Sequence, residues 1–343
     1  MKLSMPVMYA GNPVEMVDLI GELERAGLDT VWVAEAYSFD APTLMGYIAA
    51  KTERVEIGSG VLPIYSRTPT LTAMTAAGLD AVSGGRAILG LGASGPQVIE
   101  GWHGVAYDRP LGRTREVVEI CRAVWRREVI EHQGIYQMPL PKDQGLGLGK
   151  PLKLINHPVR ERIPIWLASL GEKNVELTAE LAEGWLPVFV YPEKLTDVWG
   201  EALCAGTAKR APELGTLQIT GGGFLAVDEQ MQPHARAAAK ALTALYVGGM
   251  GAKGKNFYNT VLQRYGYPDV AAAVQEAYLG GRKDEAAAAI PDELIDKTNL
   301  IGPEGHIRER IAALREAGIT HLHVVPIDAD QVSLIDKVKT WVS

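Results

Sequence analysis

Two side chains that could transfer a proton stand beside short apolar segments of this sequence. Glu35 closes the segment 30–35, and His103 lies in a glycine-flanked loop. A carboxyl or an imidazole can give a proton to a reacting carbonyl, and imidazole changes its charge near neutral pH. Tyr37 or Tyr65 could orient that carbonyl. A structural role stays open for both candidates, since Glu35 could pair with a neighbouring arginine and His103 could simply pack.

The other positions at the ends of the apolar segments are small and poor in acid–base groups. They fall at 59–65, 93–97, 169–174, 187–191 and 221–224. Small residues at strand ends let the backbone approach a large flat ligand and offer main-chain hydrogen bonds. A hydrolase or an aldolase would need a nucleophile, a metal cluster or a paired base there. The pattern therefore predicts a bound cofactor that brings its own chemistry.

Two further patterns favour packing over chemistry. His321 and His323 alternate on one strand face, but no third ligand with suitable spacing accompanies them, and zinc takes three or four. We therefore expect no metal site and interpret both histidines as packing or hydrogen-bonded side chains. The three glycines at 221–223 lack the Lys-Ser/Thr of a phosphate loop, which predicts a strand bend near a ligand.

The elements that must position these residues alternate regularly. Eight short apolar strands are each followed by an amphipathic helix, as in the strand from Leu3 to Tyr9 and the helix from about Val14 to Ala26. Eight such units favour closure into a (β/α)₈ TIM barrel over a doubly wound sheet. In a barrel the active site lies at the carboxyl ends of the strands, where the candidate residues are found.

The alternation breaks twice within what we expect to be one domain over 1–343. The segment at about 130–162 is rich in Pro, Gly and His, which indicates an inserted hairpin or lid. The segment at about 248–298 is predicted to be irregular, with short helix candidates such as Val270 to Tyr278. Both segments suit lids or subunit contacts.

Composition narrows the class of protein. Asp and Glu number 41 against 34 Lys and Arg, a net charge of −7 that predicts no nucleic-acid partner. No run of 18 apolar residues indicates a membrane span, and the N-terminus lacks the apolar core of a signal peptide. Cys121 and Cys204 fall in predicted helices, and we expect both to be buried thiols of a cytoplasmic protein.

Four ordered motifs resemble the luciferase-like, F420-dependent oxidoreductases. The motifs are GSGVLP at 58–63 with RTP at 67–69, LGLGASGPQ at 89–97 with GWHG at 101–104, IWLASLG at 165–171, and AEGW at 182–185. Each motif is weak alone, but their order spans nearly the whole chain. The resemblance implies a bacterial-luciferase-like TIM barrel that exchanges hydride with an organic substrate through the deazaflavin coenzyme F420.

The resemblance also implies cofactor contacts. A non-proline cis peptide at Gly60–Val61, next to Ser59, would form a bulge behind the deazaflavin ring. Ser94, Gly95 and Gln97 would border the ring or its ribityl chain. The third group opens a helix, where amide groups and a lysine suit a phosphate. Its members are Ser169, Leu170, Gly171, Lys173 and Asn174.

Departures from the family's pattern bear on the substrate. The sugar-phosphate dehydrogenases of the group carry an Asp-His pair after the second strand and a Glu after the fourth, where this chain has Glu35-Ala36 and Gly95. The methylenetetrahydromethanopterin reductases also keep that second acidic residue. We therefore expect a different small-molecule substrate. The alternatives are an FMN-dependent monooxygenase on the same barrel and a non-catalytic flavin- or deazaflavin-binding barrel. The resemblance further suggests a homodimer.

Overall fold

The computed structural model describes residues 1–8, 11–251, 254 and 256–342. Tyr9, the predicted end of the first strand, lies outside these residues. The strands of the described part are β1 (Lys2–Val7), β2 (Thr30–Val33), β3 (Glu56–Ser59), β4 (Leu62–Pro63), β5 (Ala87–Gly92), β6 (His132–Gln133), β7 (Gln137–Met138), β8 (Ile165–Ala168), β9 (Gly184–Trp185), β10 (Gln218–Ala226), β11 (Leu300–Ile301) and β12 (His321–Pro326).

Eight parallel positions close into a barrel. Starting from β1, hydrogen-bonded neighbours follow the order β1, β2, β3, β5, β8, β9, β10 and β12, and β12 pairs again with β1. β4 continues beyond β3 along β5, and β11 pairs with β10 outside the ring. The (β/α)₈ barrel predicted from the alternation is therefore confirmed.

The α-helices flank the strands. They are α1 (Pro13–Arg25), α2 (Ala41–Lys51), α3 (Pro69–Ser83), α4 (Pro96–Gly101), α5 (Pro110–Trp125), α6 (Glu172–Leu181), α7 (Leu195–Thr207), α8 (Gln232–Ala244), α9 (Phe257–Arg264), α10 (Pro268–Leu279), α11 (Lys283–Ala288), α12 (Asp292–Thr298), α13 (Glu304–Glu316) and α14 (Gln331–Val342). Local chemistry sets several boundaries. The Thr68 side chain accepts from the Leu71 amide before α3, and Gly84 ends that helix at φ 68°.

Large aromatic side chains fill the barrel interior. The rings of Trp32 and Trp166 lie 5.1 Å apart, and His321 meets Trp166 edge-on at 4.8 Å. Glycine makes room for them, because a Cβ at Gly184 would lie 2.0 Å from Trp166 Cδ2. This packed layer supports the strand ends above it.

The two interior histidines are hydrogen-bonded, as predicted. His321 Nδ1 lies 2.9 Å from Thr320 Oγ1, and His323 Nδ1 lies 3.3 Å from Ser4 Oγ. Burial lowers the pKa of both imidazoles to about 4. The described residues contain no cluster of three or more His, Cys, Asp or Glu that could hold a metal ion.

The first inserted segment contains the predicted hairpin, since β6 and β7 pair antiparallel. Glu116 of α5 accepts the amides of Ile135 and Tyr136 at 2.9 Å and so fixes the hairpin to the barrel. Leu146 and Leu148, farther along the segment, are largely exposed.

The prediction of an irregular second segment is wrong, because α9 to α12 occupy most of 257–298, but the helix candidate Val270 to Tyr278 within it is confirmed by α10. Alanine forms much of the buried face of α10 and α11, whereas Val261 of α9 and Ile295 of α12 are branched apolar residues. The helices α9 and α12 have only eight and seven residues, which is too few for a helical period to be recognised in the sequence.

The cysteine prediction holds for only one thiol. Cys121 of α5 is buried, and burial raises its pKa. Cys204 of α7 is exposed, so the prediction that it is buried is wrong. Among the described helices, none combines the length and the apolar character that a bilayer crossing needs.

Candidate active site

The turn after β3 forms a floor at the carboxyl ends of the strands. The predicted cis peptide is present between Gly60 and Val61. Ser59 Oγ donates to the Gly90 carbonyl at 2.7 Å and accepts from the Gly90 amide at 2.9 Å. A Cβ at Gly90 would lie 1.8 Å from the Ser59 carbonyl oxygen, and one at Gly92 would lie 2.6 Å from Val61 Cγ2. β3 and β5 are therefore in contact through their backbones at this point.

The loop after β5 carries the second group of predicted cofactor contacts. Ser94 has a left-handed φ of 57°. Ser94 and Gln97 are exposed at the mouth of the barrel, which is the opening at the carboxyl ends of its strands. Tyr107, which the sequence did not single out, donates from its hydroxyl to the Ser94 carbonyl at 3.4 Å. The Tyr107 ring also stacks on Tyr65 with centroids 5.1 Å apart. No motif marks Tyr107, because the contact depends on how the loop folds back.

The third group lies where β8 leads into α6. The Trp185 indole donates to the Ser169 carbonyl and the Trp199 indole to the Leu170 carbonyl, each at 2.9 Å. These two bonds hold the chain as it enters α6, whose first amides have no carbonyl within the helix to bind. Two buried indoles thus hold the N-terminal end of α6 toward the mouth, and the motifs contain only one of them, Trp185.

Individual side chains at this end of α6 differ in their readiness to bind a ligand. Asn174 Oδ1 is buried and has no hydrogen-bond partner among the described atoms. Lys173 is 81% exposed and pairs with Glu176 at 3.1 Å. Phe257 lies over Gly171, where a Cβ would meet the ring at 3.0 Å. The unsatisfied Asn174 oxygen therefore fits a hydroxyl-bearing ligand chain, and Lys173 adds an exposed positive charge.

Glu35 is held in a buried ion pair. Its Oε1 lies 2.5 Å from Arg67 Nη1 and its Oε2 lies 2.8 Å from Arg67 Nη2, with side-chain exposures of 6% and 13%. The Ala41 amide also donates to Oε2 at 2.8 Å. Both carboxylate oxygens are occupied, and Arg67 is not free to meet the anionic tail of a ligand.

His103, unlike Glu35, has a side-chain atom that no described residue binds. It is half-buried, and its Nε2 is buried without a hydrogen-bond partner among the described atoms. The preceding Trp102 is 67% exposed and its ring lies 6.3 Å from that of Tyr37. This contact joins the loop after β2 to the loop that contains His103.

Tyr65 is engaged in the wall of the site. Its hydroxyl donates to the Asp108 carbonyl at 2.7 Å, and burial raises its pKa to about 12. The Arg113 guanidinium lies over the ring at 5.4 Å and binds the Asp108 carboxylate at 2.6 Å. Of the two tyrosines predicted to orient a carbonyl, Tyr37 is the more accessible, with 66% of its surface exposed.

Comparison with known proteins agrees with this architecture. The model of the luciferase-like monooxygenase family matches residues 2–321. A Mycobacterium tuberculosis protein named provisionally as a coenzyme F420-dependent oxidoreductase is 43% identical, and the match covers 97% of each chain. The 5,10-methylenetetrahydromethanopterin reductase of Archaeoglobus fulgidus is 30% identical over 87% of this chain and 85% of its own.

A solved structure supports the fold. The coenzyme F420-dependent tetrahydromethanopterin reductase of Methanopyrus kandleri superimposes with a TM-score of 0.77 at 22% identity, covering 99% of this chain and 98% of that one. The chain belongs to the luciferase-like monooxygenase family. The family predicted from the four motifs is therefore confirmed.

Proposed function

We propose that this protein is a coenzyme F420-dependent oxidoreductase that exchanges hydride with a small organic substrate. The observation that carries the proposal is the floor at Ser59–Val61, where the backbones of β3 and β5 pack together and leave a surface without side-chain chemistry. The 43% identical relative, named for F420 dependence, supports the same cofactor. A flat cofactor on that floor would supply the redox chemistry that the strand ends lack.

The residues predicted from the motifs fit this cofactor. Ser59, Gly60 and Val61 would back the ring, and Ser94, Gly95 and Gln97 would border it. The phosphate and ribityl portion would reach the start of α6, where Asn174 Oδ1 lacks a partner among the described atoms and no side chain caps the amides of Glu172 and Lys173. When bound, the deazaflavin supplies a carbon that gives or takes hydride.

The chain itself must hold or move a proton beside the reacting carbon. We assign this task to His103 Nε2 in preference to Glu35, because the imidazole nitrogen is unpartnered whereas Arg67 occupies both Glu35 oxygens. Glu35 then acts as a positioning residue that fixes the loop after β2. His103→Gln should lower kcat about 100-fold or more without weakening cofactor binding, as removal of a general acid does.

Parallel titrations with F420 and FMN test the cofactor, with F420 fluorescence and flavin fluorescence as readouts. We expect F420 to bind and FMN not to bind at the same concentrations. Asn174→Ala should weaken F420 binding about tenfold, the size expected for one hydrogen bond of about 1.4 kcal/mol. Asn156→Ala, at an exposed position of the first inserted segment, is the matched control.

Two outcomes would redirect the proposal. Binding of FMN alone would favour the monooxygenase activity after which the family is named. Binding of F420 without turnover across a broad substrate panel would favour the non-catalytic cofactor-binding barrel.

We also propose a cytoplasmic homodimer that pairs through α3. Leu71, Met74 and Val82 on α3 are 45%, 52% and 68% exposed, and the single charged side chain of α3, Asp80, is buried. An uncharged helix face with this much exposed apolar surface is typical of a subunit interface. Sedimentation analysis should give the mass of a dimer for the wild type and of a monomer for Met74→Glu.

A further inference from the structure

Three exposed aromatic side chains stand beside the candidate proton donors. Tyr37 and Phe39 follow Glu35 on the loop after β2, and Trp102 precedes His103. They are 66%, 85% and 67% exposed, and the rings of Tyr37 and Trp102 are in contact across the two loops. We call Tyr37, Phe39 and Trp102 the aromatic rim.

Packing among the described residues does not explain the rim. Aromatic rings stabilise a protein mainly when they are buried, so three mainly exposed rings at one mouth leave apolar area that the described residues do not cover. Trp185 and Trp199, by contrast, are fully buried, and their indole N–H groups donate hydrogen bonds to backbone carbonyls. The rim therefore offers apolar surface at the place where a substrate must enter.

The guanidinium groups near the rim are already paired. The described loops at 34–40, 60–68 and 93–109 contain two guanidinium groups. Arg67 is paired with Glu35 at 2.5 Å, and Arg109 is paired with Asp108 at 2.8 Å. An anionic substrate would have to break one of these ion pairs or approach without a counter-charge.

The carboxylates of the same loops are engaged as well. Asp40 accepts from the Thr43 hydroxyl at 2.8 Å as it caps α2, and Glu100 accepts the Tyr107 amide at 3.2 Å. Asp108 binds both Arg109 and Arg113. Asp40 and Glu100 keep their negative charge, because their partners are neutral, and both carboxylates would repel an anionic substrate.

We propose that the aromatic rim selects neutral, apolar carbonyl compounds as the substrate class and rejects carboxylated or phosphorylated ones. This inference rests on the proposed function. A ketone of this class would receive a hydride from the reduced cofactor and a proton from the protein, giving the secondary alcohol and the oxidised cofactor. The reverse step would release the same hydride and proton.

Matched pairs of probes test the proposal by binding to the protein already saturated with F420. Acetophenone is compared with 4-acetylbenzoate, and cyclohexanone with 4-oxocyclohexanecarboxylate, by the change in F420 fluorescence. We expect each neutral ketone to bind at least about tenfold more tightly than its carboxylate. Equal or tighter binding of the carboxylates, or binding of neither ketone, would overturn the inference.

Variants separate the rim from general effects on folding. The double variant Tyr37→Ala/Trp102→Ala should weaken neutral ketones about tenfold and leave F420 binding unchanged, because both side chains are exposed and neither belongs to the floor. Leu279→Ala, an exposed apolar residue at the end of α10, should change neither affinity. Unaltered ketone binding in the double variant would contradict a role for the rim.

A gain of affinity gives an independent check. Phe39→Lys places an unpaired cation on the rim and should reverse the preference toward the carboxylate probes. F420 binding is measured first for the wild type and for every variant. Failure of the wild type to bind F420 would refute the proposed function. Normal F420 binding with a preference for anionic probes in the wild type would refute only the substrate class.

Discussion

The floor of the mouth and the aromatic rim above it are built on opposite principles. At the floor, the position where a Cβ of Gly90 would stand is only 1.8 Å from the Ser59 carbonyl oxygen, so the backbones leave no space for any side chain. At the rim, Phe39 is 85% exposed, and Trp102 contacts Tyr37 while both rings remain mainly in solvent. The two regions lie on consecutive loops of one barrel.

The difference shows how one barrel can keep a cofactor and change its substrate. A floor made of backbone tolerates almost no substitution, because every added atom moves a strand. A rim made of exposed side chains can change with little effect on folding, since surface substitutions seldom alter stability by more than about 0.5 kcal/mol. Cofactor binding would therefore persist while the rim residues determine the substrate.

The strongest test of the floor is Gly90→Ala. The new methyl group would collide with a carbonyl of the neighbouring strand, so we expect a loss of about 5 kcal/mol or more and failure to fold at 37 °C. The control is Gly305→Ala in α13, where a Cβ meets nothing within 4 Å. That variant should be neutral or stabilised by up to about 1 kcal/mol. Urea denaturation measures the free energy of unfolding of both variants. A Gly90→Ala protein as stable as the wild type would show that the floor can accommodate an added side chain.

The buried ion pair between Glu35 and Arg67 gives the next largest effect. Arg67→Leu leaves the Glu35 carboxylate buried without its partner, which should cost about 3–5 kcal/mol of folding free energy. Glu35→Gln combined with Arg67→Leu should recover part of that loss, because no uncompensated charge remains. Denaturation of the single and double variants provides the cycle, and strictly additive losses would mean that the pair is not coupled.

The single variant Glu35→Gln distinguishes the roles of Glu35 and His103 in the site. If Glu35 only positions its loop, Glu35→Gln should lower kcat far less than His103→Gln does. A Glu35→Gln protein as inactive as His103→Gln, with intact F420 binding, would instead return the proton transfer to Glu35.

The sequence predicted the parts of the site that depend on the backbone. The order of strands and helices follows from apolar periodicity, whereas the cis peptide at Gly60–Val61 was expected from the resemblance of its motif to the family. The cofactor contacts at the start of α6 were expected from the same resemblance. Such features repeat within a fold because the geometry of neighbouring strands allows few alternatives.

Side-chain partnerships could not be predicted in this way. A pairing of Glu35 with an arginine was an open alternative, but the sequence did not identify Arg67, which lies 32 positions away, and Tyr107 reaches Ser94 only because its loop folds back. The helix candidate at Val270 to Tyr278 was found as α10, whereas α9 and α12 were missed because they have only eight and seven residues. Contacts of this kind depend on tertiary packing, and a single sequence carries little local signal for them.

A smaller effect, on the layer that supports the floor, is expected from acid. His321 packs edge-on against Trp166, and burial lowers its pKa from 6.5 to about 4, so the folded state disfavours the proton. Below about pH 6.5 the unfolded chain binds that proton first, and stability should fall as the pH decreases from about 6.5 to 4. One such group contributes at most about 3 kcal/mol. His321→Gln should flatten this part of the urea-midpoint profile, whereas His234→Gln, at an exposed position of α8, should leave it unchanged. A profile with the same slope in His321→Gln would mean that other groups, such as His323, dominate the acid response of the barrel interior.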